Sequence, residues 1–395
     1  MPAVRMRSGV FIPPYHGMQE NPTLTFQRDL ELVEWCERLG YEEAWFGEHH
    51  SGGVETIDSP EIMIAAAAQR TRTIMFGTGV VSLPYHHPLN VAQRIVQLDH
   101  LTKGRVILGV GAGSLVQDAK MRGVDPTRTR EVMEASLDVI LRLLRGETVS
   151  CKTEWFTLDN ANLHLAPYTY PHPKVVVAAS NTPSGGKLAG RHGLGLLCVT
   201  ASQPTGFDTL SSNWEIANEI AAEHGNVLQS DELRLAAPIF LAETREEAHR
   251  NVRFGIEEYL DYGFSLQPSK RERAKGMDPV EIITKHRGGI IGTPDDAVEL
   301  INRFHDKVGD FGCFLQVAHN WADWEQTKKS YELYARFVLP RIHRSNVARV
   351  ESLDTLRRND AEFGAIKAKG ISDTFEKHAA ERAARHGDPL STPAQ

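Results

Sequence analysis

Eight short apolar or β-branched runs, spaced along the chain and separated by helical patterns, constrain its fold more than any other feature. They occupy residues 8–12, 43–47, 74–81, 105–110, 174–179, 195–199, 233–241 and 313–317. Each is nearly continuous in apolar residues, as strands buried on both faces of a parallel sheet are. Between most of them the period changes to that of a helix. Phe26, Leu30, Val33 and Cys36 mark one such face, and Met133, Leu137, Ile140 and Leu144 mark another, which opens after Asp125–Pro126 and stops at Gly146. Strand and helix alternating eight times predict a closed (β/α)8 TIM barrel, with a doubly wound open sheet as the alternative.

The regular spacing breaks twice. Residues 147–173 resemble a small hairpin excursion with a proline-rich return, and 262–290, after the seventh strand, form a basic, glycine-containing insert. On the C-terminal rim, where barrels place their chemistry, the second insert is either a lid or a solvated connector. The barrel is expected over residues 1–340. A charged extension, 341–395, carries two expected helices at 351–367 and 373–385 and packs on another subunit or on the outside of the barrel.

Of the 395 residues, 41% are hydrophobic and 24% charged, enough for a large core, while a net charge of −7 gives no footprint for nucleic acid or an anionic membrane. Four scattered cysteines (Cys36, Cys151, Cys198, Cys313) form neither a zinc nor a disulfide pattern. Without a signal-like or membrane-length apolar run, the expected location is cytoplasmic.

Four segments at strand ends can carry chemistry. AWFGEHHS ends the second strand and places Glu48, His49 and His50 on the rim. Adjacent histidines in extended backbone point to opposite sides, so one of the two faces the barrel mouth, and neither His49–His50 nor His86–His87 has the H-x-H spacing of a metal pair. No metal is expected. GTGVVSLPYHHP, residues 77–88, brings glycines that admit a flat ligand or a close-packed neighbour. GRVILGVGAGS, residues 104–114, runs into a glycine loop followed by Arg128 and Arg130, a combination suited to an anion. AASNTPSGGKLAGRHG, residues 178–193, offers hydroxyls and backbone donors at a helix start, for a phosphate or for simple capping.

Together, WFGEHHS, GTGVVSLPYHHPLNVAQRIVQLDHLTKGRVILGVGAGS and ASNTPSGGKLAGRHGLG resemble the bacterial-luciferase-like flavin monooxygenases, specifically the limonene monooxygenase-like group, from about residue 7 to 340. The resemblance implies reduced FMN and O2 as co-reactants, a C4a-peroxyflavin, and oxygenation of a small apolar terpene, ketone or aldehyde. It implies His49 as the catalytic histidine with Glu48 beside it, and Gly79–Val80 as a cis peptide behind the flavin ring. Gly111, Ala112, Gly113 and Ser114 would run along the flavin, with Arg130, Ser180, Ser184 and Gly185 near its phosphate. Phe11, Trp45, Leu83, Tyr85 and His87 are the expected substrate pocket. Gly111 and Ala112 stand where bacterial luciferase carries cysteine and arginine, which removes one phosphate or ring contact and argues against light emission.

The chain has no pyridine-nucleotide fingerprint, so a separate NAD(P)H:flavin reductase would supply reduced FMN. The resemblance also implies a homodimer. Two rivals remain: an F420-dependent hydride-transfer enzyme, favoured by the basic residues between Lys270 and Lys275, and a non-catalytic flavin-binding protein.

Overall fold

In the computed structural model, residues 4–179, 182–266, 268–285 and 288–386 are described. They form two compact units, Met1–Ile342 and His343–Gln395. Eight parallel strands close the first unit into a barrel: Arg7–Ile12, Glu43–Phe46, Met75–Thr78, Val106–Gly111, Lys174–Ala179, Gly195–Cys198, Leu233–Leu241 and Cys313–Val317. Each pairs with the next, and the eighth closes on the first with Gly9 opposite Leu315. The expected barrel is therefore observed, with strand bounds shifted by a residue or so. The third run differs most: it ends at Thr78, the Gly79–Val80 peptide is cis, and Val81–Ser82 resumes beside the fourth strand.

Alternation along the strands divides the core into two layers. Val10, Ile12, Ala44, Phe46, Phe76, Leu108, Val175 and Val177 face the surrounding helices, whereas Phe11, Trp45, Ile107, Val176, Leu197, Ala236 and Leu315 fill the barrel. Helix Pro22–Leu39 buries Leu30, Val33 and Cys36; it is capped by the Asn21 side chain at its start and by Gly40, at φ 85°, at its end. Helix Thr129–Leu144 buries Met133, Leu137, Ile140 and Leu144.

Inside the barrel, the Trp45 ring occupies space that two strands leave open. A Cβ at Gly77 would lie 2.2 Å from that ring, and one at Gly109 would lie 2.8 Å from it. Both glycines are thus fixed by packing. Below Trp45 lies an ion network at the strand starts. Glu43 accepts from Arg234 (2.9 and 3.2 Å), from Arg7 (2.9 Å) and from Trp45 Nε1 (2.8 Å), so it ties together strands one, two and seven. Burial pushes the Glu43 carboxyl up, but Arg234 and Arg7 outweigh it and hold the pKa at about 2, below the ordinary 4.5.

The first excursion is the expected hairpin, Val149–Lys152 antiparallel to Thr157–Ala161. The second starts earlier than expected. Helices Ile256–Leu266, Pro268–Arg273 and Pro279–Thr284 precede a short strand, Ile290–Gly292, that pairs with strand seven. Val252, Ile256, Leu260, Val280 and Ile291 bury a cluster of their own with Phe240 and Trp321, so Val280 anchors an insert whose described residues are otherwise largely exposed. In the second unit the helices are Val347–Arg358 and Asp360–His386, divided at Asn359 and continuous through Gly370. No described helix is long and apolar enough to cross a membrane.

Removing Glu43's charge takes the main partner from the buried Arg234 guanidinium and from half-buried Arg7, so Glu43→Gln should lower unfolding free energy by about 3–5 kcal/mol at pH 7. A carboxyl whose pKa falls on folding contributes stability above its unfolded value and loses it as pH drops through the folded value. Urea midpoints of wild type and Glu43→Gln should therefore converge between pH 4.5 and about 2. A gap that stayed constant over that window would count against this account.

Candidate functional site

The EHH tripeptide leaves strand two in extended backbone, and its side chains part company at the rim. Glu48 is fully buried and His49 is 21% exposed at its side chain. Glu48 Oε1 accepts from His50 Nε2 at 2.9 Å and from His86 Nε2 at 3.0 Å, while Oε2 accepts from the Ser82 amide at 3.2 Å. The outer nitrogens of both rings face arginines. Arg122 lies 3.1 Å from His50 Nδ1 and Arg94 lies 3.3 Å from His86 Nδ1. Because a guanidinium can only donate, each Nδ1 must accept and each Nε2–H must point at Glu48. Burial pushes the Glu48 carboxyl up, but the hydrogen bonds from His50 and His86 outweigh it and hold it below its ordinary value.

This cluster brings three possible metal ligands within 4.8 Å of one another. Its protonation pattern does not suit an ion, however, since a metal-bound imidazole offers its second N–H to an acceptor and arginine is none. The group is a hydrogen-bond network around a carboxylate.

His49 makes a different partnership. Its Nδ1 lies 2.9 Å from Asp118 Oδ2, and Asp118 Oδ1 accepts from the Ser51 hydroxyl. Asp118 is buried and sits on the short helix Val116–Met121 that follows the glycine loop of strand four. With Nδ1–H donated to this carboxylate, the neutral ring presents Nε2 as an acceptor.

Gly79 and Val80 at the end of strand three, with Ala112 and Gly113 after strand four, are only half-buried, and together they form a strip of small and apolar residues. Gly111 is buried against Val80, and a Cβ at Gly113 would lie 2.3 Å from the Tyr85 hydroxyl. Ser114 is exposed.

Of the two arginines that follow, Arg128 is committed. It pairs with Glu154 (2.7 Å) and Glu131 (2.8 Å), and its guanidinium lies over Trp155. Arg130 is exposed and has no ion pair among the described residues. One turn further on, Glu134 pairs with Arg191 in the last turn of helix Ser184–His192. Arg130 and Ser184 each lie in the first turn of their own helix. Ser184 Oγ is 2.9 Å from Thr182 Oγ1. Gly185 is buried, and a Cβ there would lie 2.5 Å from the Ala178 carbonyl oxygen, so packing alone requires it. Ser180 lies outside the described residues.

The expected substrate pocket is only partly assembled. Trp45 and Leu83 are fully buried, the first as barrel filling and the second in the helix-facing layer, so neither reaches the rim. Phe11 and Tyr85 are buried beneath the strip, packed on Gly79 and Gly113 respectively. His87 packs edge-on against Phe156 of the hairpin, and it is His86 that joins Glu48. Glu48, expected beside the catalytic histidine, is buried with both carboxylate oxygens hydrogen-bonded to His50, His86 and the Ser82 amide. Sequence reading missed Asp118, His86, Arg94 and Arg122. Asp118 had one available signal, a carboxylate just beyond the glycine loop.

Comparison with known proteins finds relatives along most of the chain. The limonene 1,2-monooxygenase of Rhodococcus erythropolis is 41% identical over 387 residues, 96% of this chain and 98% of that protein. The 4-hydroxyprotoasukamycin monooxygenase of Streptomyces nodosus subsp. asukaensis is 42% identical over 346 residues, 86% of this chain and 93% of its own. Among solved structures, the oxygenating constituent of 3,6-diketocamphane monooxygenase from Pseudomonas putida, in complex with FMN, superposes with a TM-score of 0.72 at 26% identity, covering 85% of this chain and 99% of that one. The sequence profile of the luciferase-like monooxygenases matches residues 6–310, and the chain belongs to that family.

Proposed function

We propose that this chain is a flavin-dependent monooxygenase that uses reduced FMN and O2 to oxygenate a small apolar molecule such as a terpene, ketone or aldehyde, with reduced FMN supplied by a separate NAD(P)H:flavin reductase. One observation carries the reading: His49, oriented by buried Asp118, stands at the end of strand two next to the half-open strip at the ends of strands three and four.

The residues present fit a flavin mononucleotide. Gly79, Val80, Ala112 and Gly113 would receive the flat ring, and Arg130 with the first turn of helix Ser184–His192 would receive the phosphate. Bound there, reduced FMN supplies two electrons to O2, so that one oxygen atom enters the substrate and the other leaves as water. The chain does the rest. Phe11 and Tyr85 give the strip an apolar floor that limits water, and the His49 Nε2 takes up or returns a proton beside the reacting atoms. Asp118 holds that ring's tautomer, and Glu48 fixes the loop that carries it.

His49→Ala should lower oxygenation about 10²–10⁴-fold while FMN binding is little changed. Asp118→Asn should retain FMN affinity but lower turnover and alter the pH profile, because an amide that donates to Nδ1 imposes the wrong tautomer. Arg130→Ala should weaken FMN about 10–100-fold and leave riboflavin, which lacks the phosphate, unaffected; fluorescence titration with both reads this. Equal losses for the two flavins would remove Arg130 from the phosphate site.

The reaction itself is tested by mixing anaerobic protein loaded with reduced FMN against aerated buffer and following flavin absorbance. Slow reoxidation, hastened by an apolar ketone or alkene and yielding an oxygenated product, is the expected result. Reoxidation as in free solution, together with tight F420 binding, would replace this reading with hydride transfer. Tight flavin binding indifferent to every substrate would leave a binding protein.

A further inference from the structure

The second excursion meets the rim at residues the proposed reaction leaves unused. Segments 14–16 and 54–56 run antiparallel there. Tyr15 bridges Glu55, the His16 amide donates to Val54 O at 2.7 Å, and the Thr56 amide donates to Pro14 O at 2.9 Å. Helix Ile256–Leu266 lies against this pair. Tyr262 donates its hydroxyl to Glu55 Oε1 at 2.7 Å, and the Tyr15 ring meets those of Tyr259 and Tyr262 at 5.4 and 5.5 Å between centroids. Gly52, at φ 85°, keeps the loop clear of the Tyr262 hydroxyl.

Only one oxygen of Glu55 is satisfied. Its Oε2 is buried without a hydrogen-bond partner. An acceptor left so is costly, and native proteins keep few of them without a functional reason. Burial also pushes the Glu55 carboxyl up, against the pull of His49 and of the Tyr262 hydroxyl; Asp118 and His16 act on it as well. Glu55 therefore stands within electrostatic reach of both the proposed proton-exchanging ring and its carboxylate.

We propose that Glu55 is a specificity-determining residue that accepts a hydrogen bond from a hydroxyl group of the substrate, so that this site prefers an apolar molecule bearing one hydroxyl to the corresponding hydrocarbon. The inference rests on the substrate lying beside His49, as in the proposed reaction. Tyr262 acts as a positioning residue, occupying Oε1 and leaving Oε2 for the ligand. The Tyr15 and Tyr262 rings pack on each other beside the carboxylate and make its surroundings apolar.

The test is a binding comparison on the full chain loaded with oxidised FMN, using limonene and carveol, which share a skeleton and differ by one ring hydroxyl. Wild type should bind carveol at least about tenfold more tightly, as expected of a buried acceptor that finds its donor. Glu55→Leu should bring the ratio close to one without weakening limonene, and Tyr262→Phe, which keeps the carboxylate, should preserve most of it. FMN affinity reports whether each variant is folded, and Glu55→Ala replaces Glu55→Leu if the latter is not. Equal affinities in wild type, or a preference that survives loss of the carboxylate, overturns the assignment. Because oxygenation is not read, failure of the monooxygenase reading and failure of this one stay separate.

Discussion

The carboxylate of Glu43, enclosed by Arg234, Arg7 and the Trp45 indole, is the interaction on which the barrel closes. It joins three strands that are distant in sequence. A buried ion pair of this kind contributes less through net energy than through exclusiveness, since any register that separates the charges leaves them unpaired in a dry interior. Trp45 carries the constraint upward. Held by its N–H, the ring spans the barrel and obliges strands three and four to present Gly77 and Gly109. The ends of those strands then have no bulky side chains over the axis, and a half-open strip is left for a flat ligand.

Above that floor, in the loop that follows strand two, two neighbouring side chains of one tripeptide take different partners. Glu48 turns inward and is saturated by three donors, whereas His49 turns toward the mouth and finds Asp118. The first partnership makes the loop rigid. The second leaves one nitrogen available.

Strand number, order and approximate bounds were legible in the sequence because each run is apolar on both faces and ends in a recognisable turn. The position of the EHH segment on the rim was legible for the same reason, since it lies directly after a strand. Depth was not legible. Trp45 lies two residues before Gly47 and looks like a rim aromatic, yet the register with Gly77 places it inside the barrel. Choosing between His86 and His87 required the path of the chain after the cis peptide, which no periodicity reports. Asp118 escaped notice because its helix is only six residues long and too short to show a face. The early start of the second excursion was hidden because its first helix continues the helical pattern that follows strand seven.

The chain of contacts that runs from Arg122 through His50, Glu48 and His86 to Arg94 has the form of a proton wire, but it is blocked at both ends. Each terminus is a guanidinium, which keeps its protons and cannot accept another. No proton can be passed through this chain between the buried carboxylate and solvent without breaking a contact. The wire is therefore an insulator. His49 stands outside that insulated chain, hydrogen-bonded instead to Asp118, which accepts from the Ser51 hydroxyl.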